Sequence, residues 1–412
     1  MNISDLYNLY LTMPLKNIWR NRRRSFITLA SVIAGTVTIM LFFGYIKVME
    51  VGLKDEAIRK EYGHFQILRK GYSDDDETSY KYMIAKEDYM KISSVIDTLS
   101  SVDFINYRHL LVGMIGTSEA SAIFMGVAGN PGAEIFMSPE LISGAFYGED
   151  AGDQIIIGRH MAGKLNLEVG NEVVLFASNE DGAQDAISVN VSGIYRGMLK
   201  AVESMQIYMP LHVAHSLLGH DKIHRIIVCL KNEKDMESAI KTLNAFIKDN
   251  NLDLEIRTWS ELAVFYRQII AMFKGITFVL GLVIFSIIMF NISNTMYMVV
   301  NDRTKEIGTL RALGSSRFQV KSQLMTEGVL LCLIGCIIGI VITLLIRPLI
   351  NEMQITLPPP PGQDDRIPIH IVIDHTIIWI SVVASSVTGI FATFLPVQRA
   401  SKLNIVDALR QF

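Results

Sequence analysis

Residues 301–318 read NDRTKEIGTLRALGSSRF, a charged stretch set between two long apolar runs. It carries Arg303, Lys305, Arg311 and Arg317, which the positive-inside rule assigns to the cytoplasmic side of a membrane. Its periodicity predicts a short amphipathic helix, with Ile307, Leu310 and Leu313 or Gly314 on one face and Lys305 and Glu306 beside them. Gly314-Ser315-Ser316 is the sequence of a helix stop followed by the cap of the next helix. A short charged helix tied to two spans can dock on a soluble partner and pass force to both.

Composition agrees with this placement. The chain has 412 residues, half of them hydrophobic, and its mean hydropathy is positive. Such a chain is not one soluble domain; an integral membrane protein with one sizeable soluble insert fits. A net charge of −3 implies no bulk affinity for nucleic acid. Of the three cysteines, Cys332 and Cys336 share an apolar run, which leaves Cys229 alone in the insert and no disulfide framework there.

Working outward, residues 1–24 form a basic cytoplasmic segment ending in Arg22-Arg23-Arg24. A first span covers 25–46, long enough for a ~30 Å hydrocarbon core, and no small-residue cleavage site follows it. Residues 47–267 read as an extracytoplasmic α+β domain. Strand, helix and strand recur at 64–68, 86–99 and 104–111, and again at 225–230, 235–248 and 252–258. They predict a split, porter-like lobe built from 50–115 and 220–260. Between them, 116–219 is a β-rich lobe with strands at 154–157, 172–177, 186–195 and 205–209. The second span covers 272–300, with Lys274 snorkelling at its outer edge. The coupling region (301–323) leads to a third span at 324–347, ended by Arg347-Pro348. A Pro-rich extracytoplasmic loop (348–373), a fourth span (374–397) and a basic tail (398–412) follow. The fold class is an α-helical membrane protein with four transmembrane helices and a large α+β extracytoplasmic domain. Both termini are expected in the cytoplasm.

Several constellations invite sharper readings. Gly158 to Lys164 has the G-x-x-x-x-G-K spacing of a phosphate loop, but Leu165 stands where a Mg²⁺-binding hydroxyl belongs. His212, His215, His220 and His224 cluster in sequence without a supporting ligand pattern, so they read as exposed histidines and no metal is expected. Asp74-Asp75-Asp76-Glu77 lacks the alternation of a calcium loop and reads as a solvated acidic loop. Neither G-x-S-x-G nor H-E-x-x-H occurs, so no enzyme activity is expected of this chain alone. Glu327, at the start of the third span, is expected to pair with a nearby Arg or Lys. Gly335-x-x-x-Gly339 permits close helix approach, within one chain or between chains. Pro358 to Pro361 form a stiff segment, either a spacer or a contact for substrate or a periplasmic protein.

The run Arg303, Glu306-Ile307-Gly308, Leu310-Arg311-Ala312-Leu313-Gly314 resembles the signature R-x-x-E-I-G-x-L-R-A-L-G of FtsX-like and MacB-like ABC transporter permeases. This family includes the lipoprotein-releasing permeases of the LolC/LolE type, to which the chain looks closest in kind. Pro396, Arg399-Ala400 and Val406-Asp407-Ala408-Leu409-Arg410 resemble its closing motif, with Ile405 in place of the usual proline and Val397-Gln398 in place of a small-residue pair. Gly158-Arg159-His160-Met161-Ala162 and Leu167, Val169-Gly170-Asn171 are similar to the G-R-x-x-A and L-x-x-G-D of the MacB-like domain.

The resemblance implies a permease subunit in a bacterial inner membrane, with its large domain in the periplasm. It implies an ABC ATPase dimer that binds ATP and Mg²⁺ in place of this chain, and a second permease copy or a sister permease. The nine residues quoted between Arg303 and Gly314 would form the ATPase-coupling helix. In the lipoprotein-releasing branch acyl chains sit between the first two spans. Phe42, Phe43, Ile46 and Met49, with Met272, Phe273 and Ile276, are therefore the expected lipid- or substrate-facing residues. A periplasmic lipoprotein carrier or an adaptor is an implied partner. Lipoprotein or lipid extraction is the expected activity. Drug or peptide efflux with an adaptor, and FtsX-like control of cell-wall hydrolases, are the alternatives. No fused N-terminal ATPase is expected.

Overall fold

Runs of apolar residues too long for any soluble core set the frame. In a computed structural model of the chain, four helices among the described residues are long and apolar enough to cross a membrane. The structure describes residues 22–73, 77–130, 140–148, 152–197, 200–358 and 367–401. The basic segment up to residue 21, Asp74 to Asp76, most of the proline run and the closing motif from residue 402 lie outside the described residues.

In chain order the principal elements begin with α1 (Arg22–Glu56), β1 (Phe65–Arg69), α2 (Lys86–Ile96), β2 (Val102–Gly116), β3 (Ser121–Gly129), β4 (Glu140–Gly144) and β5 (Gln154–Gly158). Next come α3 (Arg159–Leu165), β6 (Glu172–Ser178), β7 (Gln184–Arg196), α4 (Lys200–Glu203), β8 (Gln206–Pro210), α5 (Leu211–Leu218), β9 (Arg225–Leu230), α6 (Met236–Asp249) and β10 (Leu254–Thr258). The chain continues through α7 (Trp259–Leu262), α8 (Val264–Asp302), α9 (Thr304–Ala312), α10 (Arg317–Glu352), the short pair β11 (Thr356–Leu357) and β12 (Ile367–Pro368), and α11 (His375–Ser401). Two compact units result. One holds residues 52–268 and 358–367; the other holds 1–51, 269–357 and 368–412.

In the first unit the strand order β10-β1-β9-β2, antiparallel throughout, is the split βαβ arrangement expected from the recurring strand–helix–strand pattern. Its core forms because α6 places Ala239, Leu243 and Ile247 on one face and α2 places Ile92 and Ile96 on one face. Both faces cover Phe65, Ile67, Ile226 and Val228 of the sheet. The β-rich part closes over a second core of Phe124, Ile155, Ile157, Leu175, Val189 and Ile207, capped by Val213 and Leu217 of α5. Two strands here, β3 and β4, were not expected from sequence. The long strand β2 serves both parts: Phe104 to Arg108 pair with β9, and His109 to Gly116 pair with β3.

The phosphate-loop spacing at Gly158 has a structural use. The buried carboxylate of Glu203 accepts hydrogen bonds from the His160 backbone N–H at 3.1 Å and the Gly197 N–H at 2.9 Å. It also lies 2.8 Å from His160 Nδ1 and 3.6 Å from Arg159 Nε. The start of α3 already holds an anion of the chain's own.

The expectation of exposed histidines is corrected. His224 is fully buried, and His109, contributed by β2, joins it with ring centroids 4.6 Å apart. His220 and His215 lie 5.5 Å and 6.2 Å from His109, while only His212 is well exposed. Both nitrogens of His109, and Nε2 of His220 and His224, have no hydrogen-bond partner among the described residues. Burial first, then the neighbouring imidazoles, holds His109 well below 6.5; burial and Arg225 push His224 down to about 3. Among the described residues no group of three or more His, Cys, Asp or Glu is placed to hold a metal ion.

The helix α1 extends to Glu56, past the expected boundary at 46: 47–56 contains no proline, and Lys47 pairs with Glu50 one turn on. The expected stop at Arg347-Pro348 is also corrected: α10 continues through Pro348 to Glu352. Proline removes one backbone donor, and the helix ends within the next turn. Arg347 Nε then donates to the Ile371 carbonyl at 3.1 Å. Gly335 and Gly339 face α1 within the same chain. A β-carbon at 335 would fall 2.8 Å from Val32 Cγ1, and one at 339 the same distance from Thr36 Cβ. Around this contact pack Val32, Ile288, Ile292, Leu324, Cys332 and Ala392.

Two outcomes follow from this packing. Gly335→Leu is expected to destabilise the chain by about 1–3 kcal/mol through overpacking. Gly281→Leu, at a position with open space around it, leaves the unfolding temperature in detergent unchanged. The buried imidazoles make the chain acid-sensitive. They are held neutral in the fold and titrate near 6.5 when unfolded, so their contribution is complete above pH 6.5 and is lost as pH falls below it. Each group removes up to about 1.4 kcal/mol per pH unit. Unfolding measured between pH 7 and pH 5 should show this slope, and His109→Leu should reduce it by about one proton.

Candidate functional site

The stretch after α8 folds as its sequence requires. Arg303 breaks the helix line, and Thr304 Oγ1 bonds back to the Val300 and Asn301 carbonyls at 3.0 Å each. The next turn starts α9. At its far end Gly314 takes φ +103°, the left-handed region that glycine enters without a β-carbon clash. Ser315 N–H reaches the Leu310 carbonyl and Gly314 N–H the Arg311 carbonyl, each at 3.1 Å, which closes a Schellman motif. Ser316 opens α10 with a capping box: its hydroxyl accepts from Gln319 N–H at 3.2 Å, and its own N–H donates to Gln319 Oε1 at 2.8 Å. The helix, stop and cap expected from the sequence are all present.

The expected face is only partly right. Ile307 is buried, together with Thr304 and Gly308, and packs into the core with Val300, Val320 and Leu324. Leu310 is 40 % exposed and Leu313 is 80 % exposed, so they do not share the face of Ile307. Ile307 is held against Val300 of α8 and Val320 and Leu324 of α10, and the other side of the helix turns outward. Lys305, Glu306, Thr309, Ala312, Arg317 and Phe318 are also exposed, and Arg311 is partly buried. The outward surface is therefore a small apolar patch of Leu310, Leu313 and Phe318 among charges of both signs.

Beneath it lies an ion-pair bridge. Arg303 donates from Nε to Glu306 at 2.8 Å and from Nη1 to Glu327 at 3.2 Å. Glu327 is 3 % exposed and lies in α10, so the expectation that it pairs with a nearby cation is met by Arg303. One guanidinium thus ties the outward helix to the next span. Arg399, from the closing motif, stacks over the ring of Tyr297 on α8 at 5.3 Å. Sequence reasoning missed Phe318, whose exposure depends on how α10 begins.

The residues expected to face lipid fall on two helices. Phe42, Phe43, Ile46 and Met49 lie on α1 and are partly buried. On α8, Phe273 is partly buried, while Met272 and Ile276 are 55 % and 46 % exposed.

The comparisons with known proteins complete the picture. Residues 25–246, more than half of the chain, match the MacB-like periplasmic core domain, and residues 278–405 match the FtsX-like permease C-terminal domain. A relative in Chromobacterium violaceum, named macrolide export ATP-binding/permease protein MacB, is 27 % identical over 220 residues, which cover 50 % of this chain and 31 % of that one. The Bacillus subtilis protein named uncharacterized ABC transporter permease YknZ is 24 % identical over 230 residues, covering 52 % of this chain and 53 % of that one. The chain thus spans about a third of the one relative and about half of the other. The crystal structure of the periplasmic region of MacB from Actinobacillus actinomycetemcomitans aligns with 50 % of this chain and 93 % of its own, at 14 % identity and a TM-score of 0.39. With both domain matches in the expected order, the chain belongs to the family that joins a MacB-like periplasmic core domain to an FtsX-like permease C-terminal domain.

Proposed function

We propose that this chain is the permease subunit of an ABC transporter. It would lie in a bacterial inner membrane with both termini in the cytoplasm, and α9 would be the surface that meets the ATPase subunits. The observation that carries this reading is the α9 surface. An outward apolar patch flanked by charge sits on a short helix between two spans and is braced to α10 through Arg303 and Glu327. Such a helix is stiff enough to move as a body when a partner pushes it. ATP and Mg²⁺ would be bound by the partner ATPase pair, and closure of that pair would displace α9. The motion would travel along α8, one unbroken helix from Val264 to Asp302, to the periplasmic side.

The cargo in this reading is lipoprotein or lipid taken from the outer leaflet toward the outer membrane. The exposed Met272 and Ile276 on α8 supply flexible apolar surface that suits acyl chains. A second reading, efflux of a drug or peptide through a periplasmic adaptor, is favoured by relatives named macrolide export ATP-binding/permease proteins. The first experiment is mass spectrometry of the tagged chain purified in lipid nanodiscs. An ABC ATPase with an acylated protein or bound lipid supports the lipoprotein reading. An ATPase with a periplasmic adaptor supports the efflux reading. Absence of any ATPase overturns both.

Two variant sets test the coupling role. Glu306→Ala and Gly308→Leu should uncouple ATP hydrolysis from transport while membrane insertion stays intact; wild-type transport in both would place the coupling surface elsewhere. Arg303→Ala removes a guanidinium donor from the buried Glu327 carboxylate and should lower the unfolding temperature. The double variant R303M/E327L should recover most of that stability without recovering coupling.

A further inference from the structure

A solvent-open hollow at the end of α5 is lined by His212, His215, Ser216, Gly219, His220 and Asp221. The tautomer of His215 follows from its surroundings. Its Nε2 lies 3.2 Å from the Lys222 carbonyl, which only accepts, so Nε2 carries the hydrogen and Nδ1 is left as an acceptor. That Nδ1 faces Asp221 Oδ1, a second acceptor, at 3.6 Å. Burial pulls His215 below its ordinary 6.5 despite the opposing pull of Asp221, so the ring is neutral at neutral pH. A lone pair and a carboxylate oxygen turned toward each other at that distance repel, and a cation shared between them reverses the sign.

The spacing is that of two ligands on one metal ion. A nitrogen and a carboxylate oxygen bound to Zn²⁺ at ~2.1 Å each, with a tetrahedral angle, stand about 3.4 Å apart. Asp221 is already oriented, because its other oxygen, Oδ2, accepts from Lys86 Nζ at 2.8 Å. Two more imidazoles are within reach. His220 has a buried Nε2 with no hydrogen-bond partner among the described residues, and its Nδ1 takes only a 3.3 Å contact from Lys222 N–H. Behind it, His109 is fully buried with both nitrogens unpartnered. Imidazoles that share one tetrahedral ion have ring centres about 5 Å apart. The His109 ring is 5.5 Å from His220 and 6.2 Å from His215. His224 is not a ligand: its Nδ1 accepts from Leu110 N–H at 3.1 Å, so its Nε2 keeps the hydrogen.

We propose that His215, Asp221 and His220, closed on the buried side by His109, bind a divalent transition-metal ion of the zinc class. Three imidazoles and one carboxylate suit such an ion better than Ca²⁺ or Mg²⁺, which prefer oxygen throughout. Among the described residues no three ligands have already converged. His215 and Asp221 are in place, and His220 and His109 turn toward the ion as it binds. His220 then moves its proton from Nε2 to Nδ1 and gives up only the long contact with Lys222. The ion joins two parts of one unit. His215 lies on α5, whose Val213 and Leu217 belong to the core of the β-rich part. Asp221 is tied to Lys86 at the start of α2, which covers the core of the other part. Metal binding therefore clasps the two parts at a second place besides β2. None of this requires the chain to be a permease.

The test uses the full chain in detergent, carrying no polyhistidine tag and stripped with a chelator. Zn²⁺ is titrated in competition with a chromophoric chelator near neutral pH, and one equivalent should bind saturably. His215→Ala, His220→Ala and Asp221→Ala should each weaken binding at least about tenfold. His212→Ala should leave it unchanged, since that side chain turns to Asp153 at 3.4 Å. Zn²⁺ should raise the unfolding temperature of the wild type and of His212→Ala but not of Asp221→Ala. Co²⁺ in place of Zn²⁺ should show the visible absorption of a tetrahedral ion, and His215→Ala should abolish it. Should Asp221→Ala fail to fold, His220→Ala, at a partly exposed position, decides the matter. Absence of saturable binding, equal affinity in the wild type and His215→Ala, or a loss confined to His212→Ala would each overturn the proposal.

Discussion

A carboxylate buried in an apolar span must be neutralised, and Glu327 meets that demand through Arg303. Much of the second unit depends on this pair. The guanidinium sits at the break between α8 and α9, so the partner of Glu327 is also the joint between a long helix and the short one that follows it. Because Arg303 holds Glu306 as well, the orientation of α9 is fixed from both its own first turn and the neighbouring span. A lysine at 303 could neutralise Glu327 but could not present two fixed donors in one plane.

Around this joint, small residues determine how close the helices come. Gly335 and Gly339 let α10 approach α1 near Val32 and Thr36, and Gly389 lies 3.0 Å, measured from an ideal β-carbon, from Cys332 Sγ. Such contacts leave little room for adjustment, so α1, α10 and α11 behave as one packed body. The helix α8 touches that body along Ile288, Ile292 and Met296 and turns its other side away. Glycine allows the closest contacts where it faces a neighbouring helix, as at Gly335, Gly339 and Gly389, whereas Gly275 and Gly281 of α8 face open space.

Much of this was legible in the sequence, and the failures have particular causes. The four spans, the split α+β lobe and the cap at Ser316 follow from apolar length, periodicity and short polar side chains, all of which are local. The strand β3 escaped because its two faces are both apolar: Ala122 and Phe124 point inward, while Ile123 and Met125 point out, so no alternation marks it. The histidine cluster was misjudged because its fourth member, His109, comes from a strand far away in sequence. Ile307 and Leu310 look alike on a helical wheel; only the packing of Ile307 against Val300, Val320 and Leu324 decides which is buried. The family was legible because the nine residues from Arg303 to Gly314 form a motif, and a motif survives where periodicity is ambiguous.

The shared strand β2 has a mechanical meaning. Its first half is laced to β9 and its second half to β3 and β6, so one continuous strand joins the two parts of the periplasmic-type unit. A load pulling the parts apart along β2 would act on many ladder hydrogen bonds at once, in shear, rather than opening them one after another like a zip. Shear geometry resists rupture far better than peeling. Within this unit β2 is therefore a stiff waist between the two parts.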